Sequence, residues 1–254
     1  MKDPNYSKTV WITGAGKGIG RALALRLAHS GWTVAASART EEDLTSLEQA
    51  APAGRVVGFP LDVTQAGRVD VTVEVIESRI GPLSLAILNA GTHQPTPAAS
   101  FSAIEARRVI ETNLMGTINC LAPVMARFTG RGAGQIAVVG SLAGYRGLPT
   151  AAAYGASKAG IINICESLRP ELESAGVDLR IISPGFVKTP LTDKNDFPMP
   201  FLIGVDEAVD RILAGLAGRA FEIAFPSRFA LLMKLLRILP DSVFFAVTRR
   251  MVRP

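Results

Sequence analysis

"TGAGKGIG", Thr13 to Gly20, follows a short β-branched run, Thr9–Thr13, and opens into an amphipathic segment over 19–30. Gly14, Gly16, Gly18 and Gly20 allow a tight strand-to-helix turn whose backbone can approach a pyrophosphate, with the anion set against the helix N-terminus. Lys17 and Ile19 sit within the same turn. Such turns also arise for steric reasons alone, so the stretch gains its meaning from its surroundings.

Working outward, β-branched runs over 33–37, 55–59, 83–88, 135–139 and 179–183 alternate with helical patterns over 41–49, 69–79, 102–128 and 154–174. The strand segments are nearly continuous in apolar character, as expected when helices cover both faces of a parallel sheet. Gly31 and Gly176 each follow a helical segment, and Gly81-Pro82 leads into a strand. This predicts one doubly wound α/β Rossmann domain over 1–225, with a helical extension over 226–254. Asp206 reads as the N-cap of a helix reaching Ala217, and 221–225 as a last strand. The loop 189–204, TPLTDKNDFPMPFLIG, is rich in Pro, Phe and Met and is expected to act as a lid over the ligand crevice.

Bulk composition agrees with a globular protein. The 254 residues are 48% hydrophobic and 19% charged, and no stretch reaches the ~18 uninterrupted apolar residues of a spanning helix. MKDPNYSKTVWITG runs straight into a strand without a signal-like apolar region. Cys120 and Cys165 fall in helical patterns without CxxC spacing, which reads as buried thiols in a reducing compartment. The net charge of +5 is local: from Pro226 onward six basic residues (Arg228, Lys234, Arg237, Arg249, Arg250, Arg253) face one acid, Asp241. The rest of the chain balances, so a general affinity for nucleic acid is not expected, and no nucleic-acid module pattern accompanies the tail.

Two further motifs define chemistry. A site for NAD would place an acid about twenty residues after the glycine turn to hold the ribose 2′-OH. Here the second strand ends "AASART", with Ala38 in that place, Arg39 next and Lys17 nearby, a set suited to a 2′-phosphate and hence to NADP. "YGASK" puts Tyr154 and Lys158 four residues apart on one helical face. A free phenol has a pKa of about 10, and a fixed cation nearby is expected to lower it, by ~3 units where a buried Lys acts together with the nicotinamide cation.

Together these motifs resemble the short-chain dehydrogenase/reductase family. TGAGKGIG is similar to its glycine motif, Asn89–Ala90–Gly91 to its fourth-strand motif, and Asn113, Ser141, Tyr154 and Lys158 to its catalytic set; "SPGFVKTP" at 183–190 resembles its nicotinamide loop. The resemblance covers about 8–218. It implies that Tyr154 exchanges a proton with the substrate oxygen, Ser141 polarises the carbonyl, Lys158 binds the nicotinamide ribose and depresses the Tyr154 pKa, and Asn113 anchors a water. It further implies that Asp62 and Val63 lie at adenine, and that Pro184, Gly185, Val187 and Thr189 surround the carboxamide. The helical segments 102–128 and 154–174 resemble those through which the family dimerises, so a homo-oligomer (dimer or tetramer) is expected.

Other candidates are weaker. His93, two residues after Gly91, reads as a solvated loop residue at the pocket mouth. His29 ends the first helix, where a cation is favourable for local reasons. No His/Cys/carboxylate cluster has metal spacing, and no metal is expected.

The tail departs from the soluble 3-oxoacyl carrier-protein reductases, which end in an Asp-Gly-Gly turn. In RFALLMKLLRILP, Phe229, Leu231, Leu232, Met233, Leu235, Leu236, Ile238 and Leu239 cover an arc of roughly 220°, leaving Ala230, Lys234 and Arg237 in the remaining sector. Pro240 breaks the helix, and Asp241 can cap another that Arg249 and Arg250 close. Such a face lies on anionic lipid or docks on the protein's own body or a second subunit, and composition does not separate these. Similarity to C-terminal extensions of membrane-associated family members favours peripheral membrane contact through 228–253. The expectation is a cytoplasmic NADPH-dependent reductase of a small-molecule carbonyl, hydrophobic or lipid-like, peripheral on the inner membrane surface. The alternatives are a soluble 3-oxoacyl-thioester reductase and a non-catalytic NADPH-sensing protein.

Overall fold

Every residue of β1 (Thr9–Thr13) is buried, so this strand needs cover on both faces. The computed structural model, which describes residues 8–252, supplies it. Strands β1, β2 (Thr33–Ala38), β3 (Val56–Pro60), β4 (Leu85–Leu88), β5 (Gly134–Val139), β6 (Val177–Pro184) and β7 (Glu222–Phe225) form one sheet in the order β3-β2-β1-β4-β5-β6-β7. All six strand pairings are parallel. Because the order reverses between β1 and β4, the crossovers diverge there and leave a crevice outside the strand C-termini.

The side-chain period of a strand divides the core in two. Trp11 joins Phe128, Ile136 and Ile161 on one face, while Val10 and Ile12 join Leu23, Leu47 and Ile212 on the other. Helices α1 (Gly18–His29), α2 (Glu41–Ala50), α3 (Ala66–Ile80), α4 (Ala103–Ile110), α5 (Gly116–Arg131), α6 (Ala152–Ser174) and α7 (Val205–Ala217) cover these faces.

Two elements differ from the sequence expectation. The segment 102–128 is not one helix, because a π turn, Glu111–Met115, separates α4 from α5. The widened turn accommodates an extra residue, a slip that apolar periodicity does not register. It places Asn113 fully inside the protein. Helix α7 starts from Gly204 rather than from Asp206, which instead lies in the first turn, where its charge meets the positive end of the helix dipole.

The tail forms α8 (Ser227–Ile238) and α9 (Asp241–Arg249). Phe229, Ala230, Met233, Leu236 and Phe244 join the same core cluster as Trp11. Leu231, Leu235 and Ile238, on the opposite side of α8, are 61%, 50% and 75% exposed, and Leu232 and Phe245 are exposed as well. The broad apolar arc is therefore split between a docked face and an outward one. Ala230, expected among the cations, is buried because the docked face is centred on Phe229 and Met233 rather than on the middle of the arc. Arg253 lies outside the described residues.

Candidate active site

The glycine turn is fastened to the end of β4. The Thr13 hydroxyl accepts from the backbone N–H groups of Asn89 and Ala90 at 3.0 and 3.1 Å, while the Asn89 amide donates to the carbonyls of Thr13 and Gly14, both at 3.1 Å. A Cβ on Gly14 (φ 65°) would stand 2.8 Å from the Ala90 Cα, and one on Gly20 would stand 2.3 Å from the Gly14 carbonyl oxygen. The turn is thus built to keep backbone, not side chains, at the crevice. This cradle fits a dinucleotide pyrophosphate set at the α1 N-terminus.

At the far end of the crevice Arg39 is exposed and makes no hydrogen bond or ion pair among the described residues. Lys17 pairs with Asp43 of α2 at 3.3 Å, and Asp43 also lies beside Gly16 and Ala38. Sequence spacing did not single out Asp43, because it comes from the following helix and not from the end of β2. Asp62 accepts from the Thr64 N–H and hydroxyl at 3.0 and 2.8 Å, closing a turn after β3. Val63 presses on Gly116 and accepts from the Asn119 amide at 2.9 Å, which ties this turn to α5.

Ser141, Tyr154 and Lys158 line one cavity with Ile19, Asn89, Gly91, Pro184, Gly185, Val187 and Thr189. Ser141 follows β5, and its hydroxyl accepts from the Ala143 N–H at 3.1 Å. Tyr154 is in the first turn of α6, with Lys158 one turn further, its ammonium 5.8 Å from the phenol ring centre. Lys158 is 4% exposed and donates to the Val139 carbonyl at 2.8 Å; burial pushes its pKa down to about 8.

The protein's own groups do not by themselves lower the Tyr154 pKa. Burial raises it, opposed by a hydrogen bond with Ser141. Asn113 accepts from the Thr92 N–H at 2.7 Å and donates to the Thr92 carbonyl and the Ser157 hydroxyl at 2.9 and 3.1 Å. Its Oδ1 and the Lys158 ammonium approach each other over Gly91, where a Cβ would stand 3.3 and 3.7 Å from them.

The loop beyond β6 closes over this cavity. The Thr192 hydroxyl accepts from the Thr189 N–H at 3.0 Å and lies 2.8 Å from the Val187 carbonyl, while Val187 bridges Ile203. His93, expected in solvent, is partly buried instead. Its ring meets Tyr154 edge-on with centres 4.6 Å apart, and its Nε2 lies 3.1 Å from Asn195 Oδ1 of the loop. The signal for this was only its place beyond the Asn89–Gly91 motif, since both partners, Tyr154 and Asn195, lie far along the chain.

The tail also reaches the site. Glu222 of β7 accepts from the Tyr145 and Ser183 hydroxyls at 2.5 and 2.8 Å and pairs with Lys234 of α8 at 2.9 Å. Burial works to raise the Glu222 pKa, but these partners outweigh it and hold the carboxyl low. Arg146 donates to the Leu236 carbonyl at 3.0 Å, pairs with Asp241 and lies 3.9 Å over the Phe244 ring. Phe229 stacks on Phe186 and on Phe201. The segment after Ser141 thus rests on α8 and α9, and the lid rests on α8 through Phe201.

A parallel sheet with a glycine turn at its switch point and a Ser–Tyr–Lys set lining the cavity beside it defines a dinucleotide-dependent oxidoreductase. The chain belongs to the short-chain dehydrogenase family, whose pattern, described as short chain dehydrogenase, matches residues 8–198. It is 38% identical to an uncharacterized oxidoreductase of Myxococcus xanthus over 99% of this chain and 100% of that one. It is 31% identical to the ketoacyl reductase HetN of Nostoc sp., covering 78% of this chain and 70% of the relative. Among solved structures, a short-chain dehydrogenase from Streptomyces avermitilis superimposes with a TM-score of 0.81 at 25% identity, covering 96% of each chain.

Proposed function

We propose that the protein reduces a ketone to an alcohol, on a hydrophobic or lipid-like substrate, with NADPH as its cofactor. NADPH, when bound along the glycine turn, supplies the hydride. The observation that carries this reading is that Ser141, Tyr154 and Lys158 line one cavity at the strand C-termini. The Ser141 hydroxyl donates to the carbonyl oxygen on which charge develops. Tyr154, kept protonated by burial, delivers its proton to that oxygen, and such help is worth ~10²–10⁴-fold. The Lys158 ammonium holds the nicotinamide ribose and stabilises the phenolate as it forms. Asn113 Oδ1, beside Lys158 over Gly91, keeps a lone pair for the water that resupplies the proton. Asp62, Val63, Asn89 and Ala90 bound the adenine side of the cradle; Pro184, Gly185, Val187 and Thr189 bound the carboxamide side.

Arg39 and Lys17 support NADP over NAD, while Asp43, neutralised by Lys17, works against it. Titrating NADPH and NADH separates the two, and Arg39→Ala should cost NADPH affinity ~10–100-fold with little change for NADH. The outward face of α8 and α9, Leu231, Leu232, Leu235, Ile238, Val243 and Phe245 bordered by Arg228, Arg249 and Arg250, supports peripheral contact with anionic lipid on the cytoplasmic side of a membrane. Among the described residues no helix is long and apolar enough to cross one. The same face would otherwise serve a homodimer or tetramer.

NADPH oxidation with a long-chain ketone and a short water-soluble analogue, each with and without anionic liposomes, tests this. Preference for the long chain, enhanced by liposomes, supports the lipid reading; equal rates without a liposome effect overturn it. A soluble 3-oxoacyl-thioester reductase is the second reading, favoured by the likeness to a ketoacyl reductase, and an acetoacetyl thioester added to the assay distinguishes it.

A further inference from the structure

His93 Nδ1 is the single buried side-chain polar atom without a hydrogen-bond partner among the described residues. Native proteins rarely leave such an atom unpaired, and each instance calls for an explanation. Its surroundings fix its chemistry. The other ring nitrogen, Nε2, faces Asn195 Oδ1 at 3.1 Å, while the Asn195 amide nitrogen lies 3.4 Å from Met199 Sδ. An amide oxygen only accepts, so Nε2 carries the proton and donates. In a neutral ring Nδ1 is then a bare acceptor. Burial lowers the His93 pKa and Lys194 lowers it further, against the Asn195 hydrogen bond, which keeps the ring neutral.

The position of the ring matters as much as its state. His93 stands edge-on to Tyr154, 4.6 Å between centres, and its backbone carbonyl accepts from Lys194 at 3.2 Å. It therefore occupies the space between the phenol and the lid segment 194–195. If packing against Tyr154 were its whole purpose, an apolar ring would fill the same space without burying an unpaired acceptor. A donor on a compound bound against the Tyr154 phenol would pair that acceptor.

We propose that His93 is a substrate-recognition residue whose Nδ1 accepts a hydrogen bond from a hydroxyl on the carbon next to the reacting carbonyl or one carbon beyond it. The inference rests on the ketone-reductase reading above and narrows it to hydroxyketones with an apolar chain. Lid residue Asn195 sets the tautomer, so lid closure and recognition of the hydroxyl are one event.

The test compares 2-decanone with 1-hydroxy-2-decanone and 4-hydroxy-2-decanone, in the wild-type enzyme, His93→Phe and His93→Gln, reading the ratio of kcat/KM values. A site built around a substrate hydroxyl discriminates strongly against its absence, so at least one hydroxyketone is expected to exceed the plain ketone by ~10-fold or more. That ratio is expected to collapse toward one in His93→Phe and to recover in part in His93→Gln, whose amide oxygen can accept. A wild-type ratio near one for both hydroxyketones overturns the proposal, as does a ratio that persists in His93→Phe. Turnover of none of the three ketones, with NADPH binding intact by fluorescence, overturns the reductase reading and this assignment with it.

Discussion

The turn at Gly14–Gly20 and the helix pair α8–α9 both touch the same site, yet they are specified in opposite ways. In the turn, each requirement is local. Gly14 and Gly18 hold positive φ values, and a side chain at Gly20 would collide with the Gly14 carbonyl at 2.3 Å, so no other residue type serves. In α8, leucines face both inward and outward, and Met233 and Leu236 are buried while Leu231, Leu232 and Leu235 are not. Nothing in their chemistry distinguishes the two sets; the body of the enzyme does, by offering Phe186, Arg146 and Glu222 to one side only.

Substitutions should reproduce this contrast, beginning at the chemistry. Tyr154→Phe should lower turnover ~10²–10⁴-fold with NADPH affinity unchanged, measured by steady-state kinetics beside fluorescence titration. Gly20→Ala should cost about 1–3 kcal/mol of stability and most of the cofactor binding, because the new methyl meets backbone that cannot move aside. Retained stability and binding would show that the turn tolerates far more than its geometry implies.

Lys158→Met should separate stability from activity. The folded lysine titrates near 8 against an ordinary 10.5, so between those values the unfolded chain holds a proton that the folded one has released. Wild-type stability therefore rises with pH across that window, and the penalty of burying the ammonium is complete below it. At pH 7 the variant should be more stable by on the order of 1–3 kcal/mol while inactive, and the gap should shrink from pH 8 to 10.5 in denaturant titrations.

On the tail, Arg146→Ala should cost about 1–3 kcal/mol and speed hydrogen exchange in α8 and α9 more than in α1, since one guanidinium holds the α8 carbonyl end, Asp241 and Phe244 together. Leu235→Gln on the outward face should change stability by no more than ~0.5 kcal/mol while weakening sedimentation with anionic liposomes. A large loss of stability there would mean that the outer face is covered by a second subunit.

Much of this was legible because periodicity and spacing are local. The order of strands and helices, and the positions of Tyr154 and Lys158 one turn apart, follow from residue patterns that hold wherever the chain goes. Asn113 was legible as a motif residue, but the π turn that carries it inward was not, since a one-residue widening leaves the apolar pattern almost unchanged. The direction of the Tyr154 pKa was not legible, because a cation four residues off is visible in sequence, whereas the burial that raises the value is not. His93 was placed at the pocket mouth but in solvent, and Asp43 was not singled out, for a common reason: each acts on a partner that another element brings near.

By itself the sequence determined the doubly wound sheet, the glycine turn and the spacing of the reacting side chains, because backbone conformation and side-chain period depend on residues close in the chain. Tertiary structure alone decided which face of α8 is core, that Arg146 and Glu222 bind the tail to the segment after Ser141, and that His93 Nδ1 is buried beside Tyr154. Those outcomes depend on what surface arrives from elsewhere in the chain, and burial and pairing are properties of that meeting rather than of either partner alone.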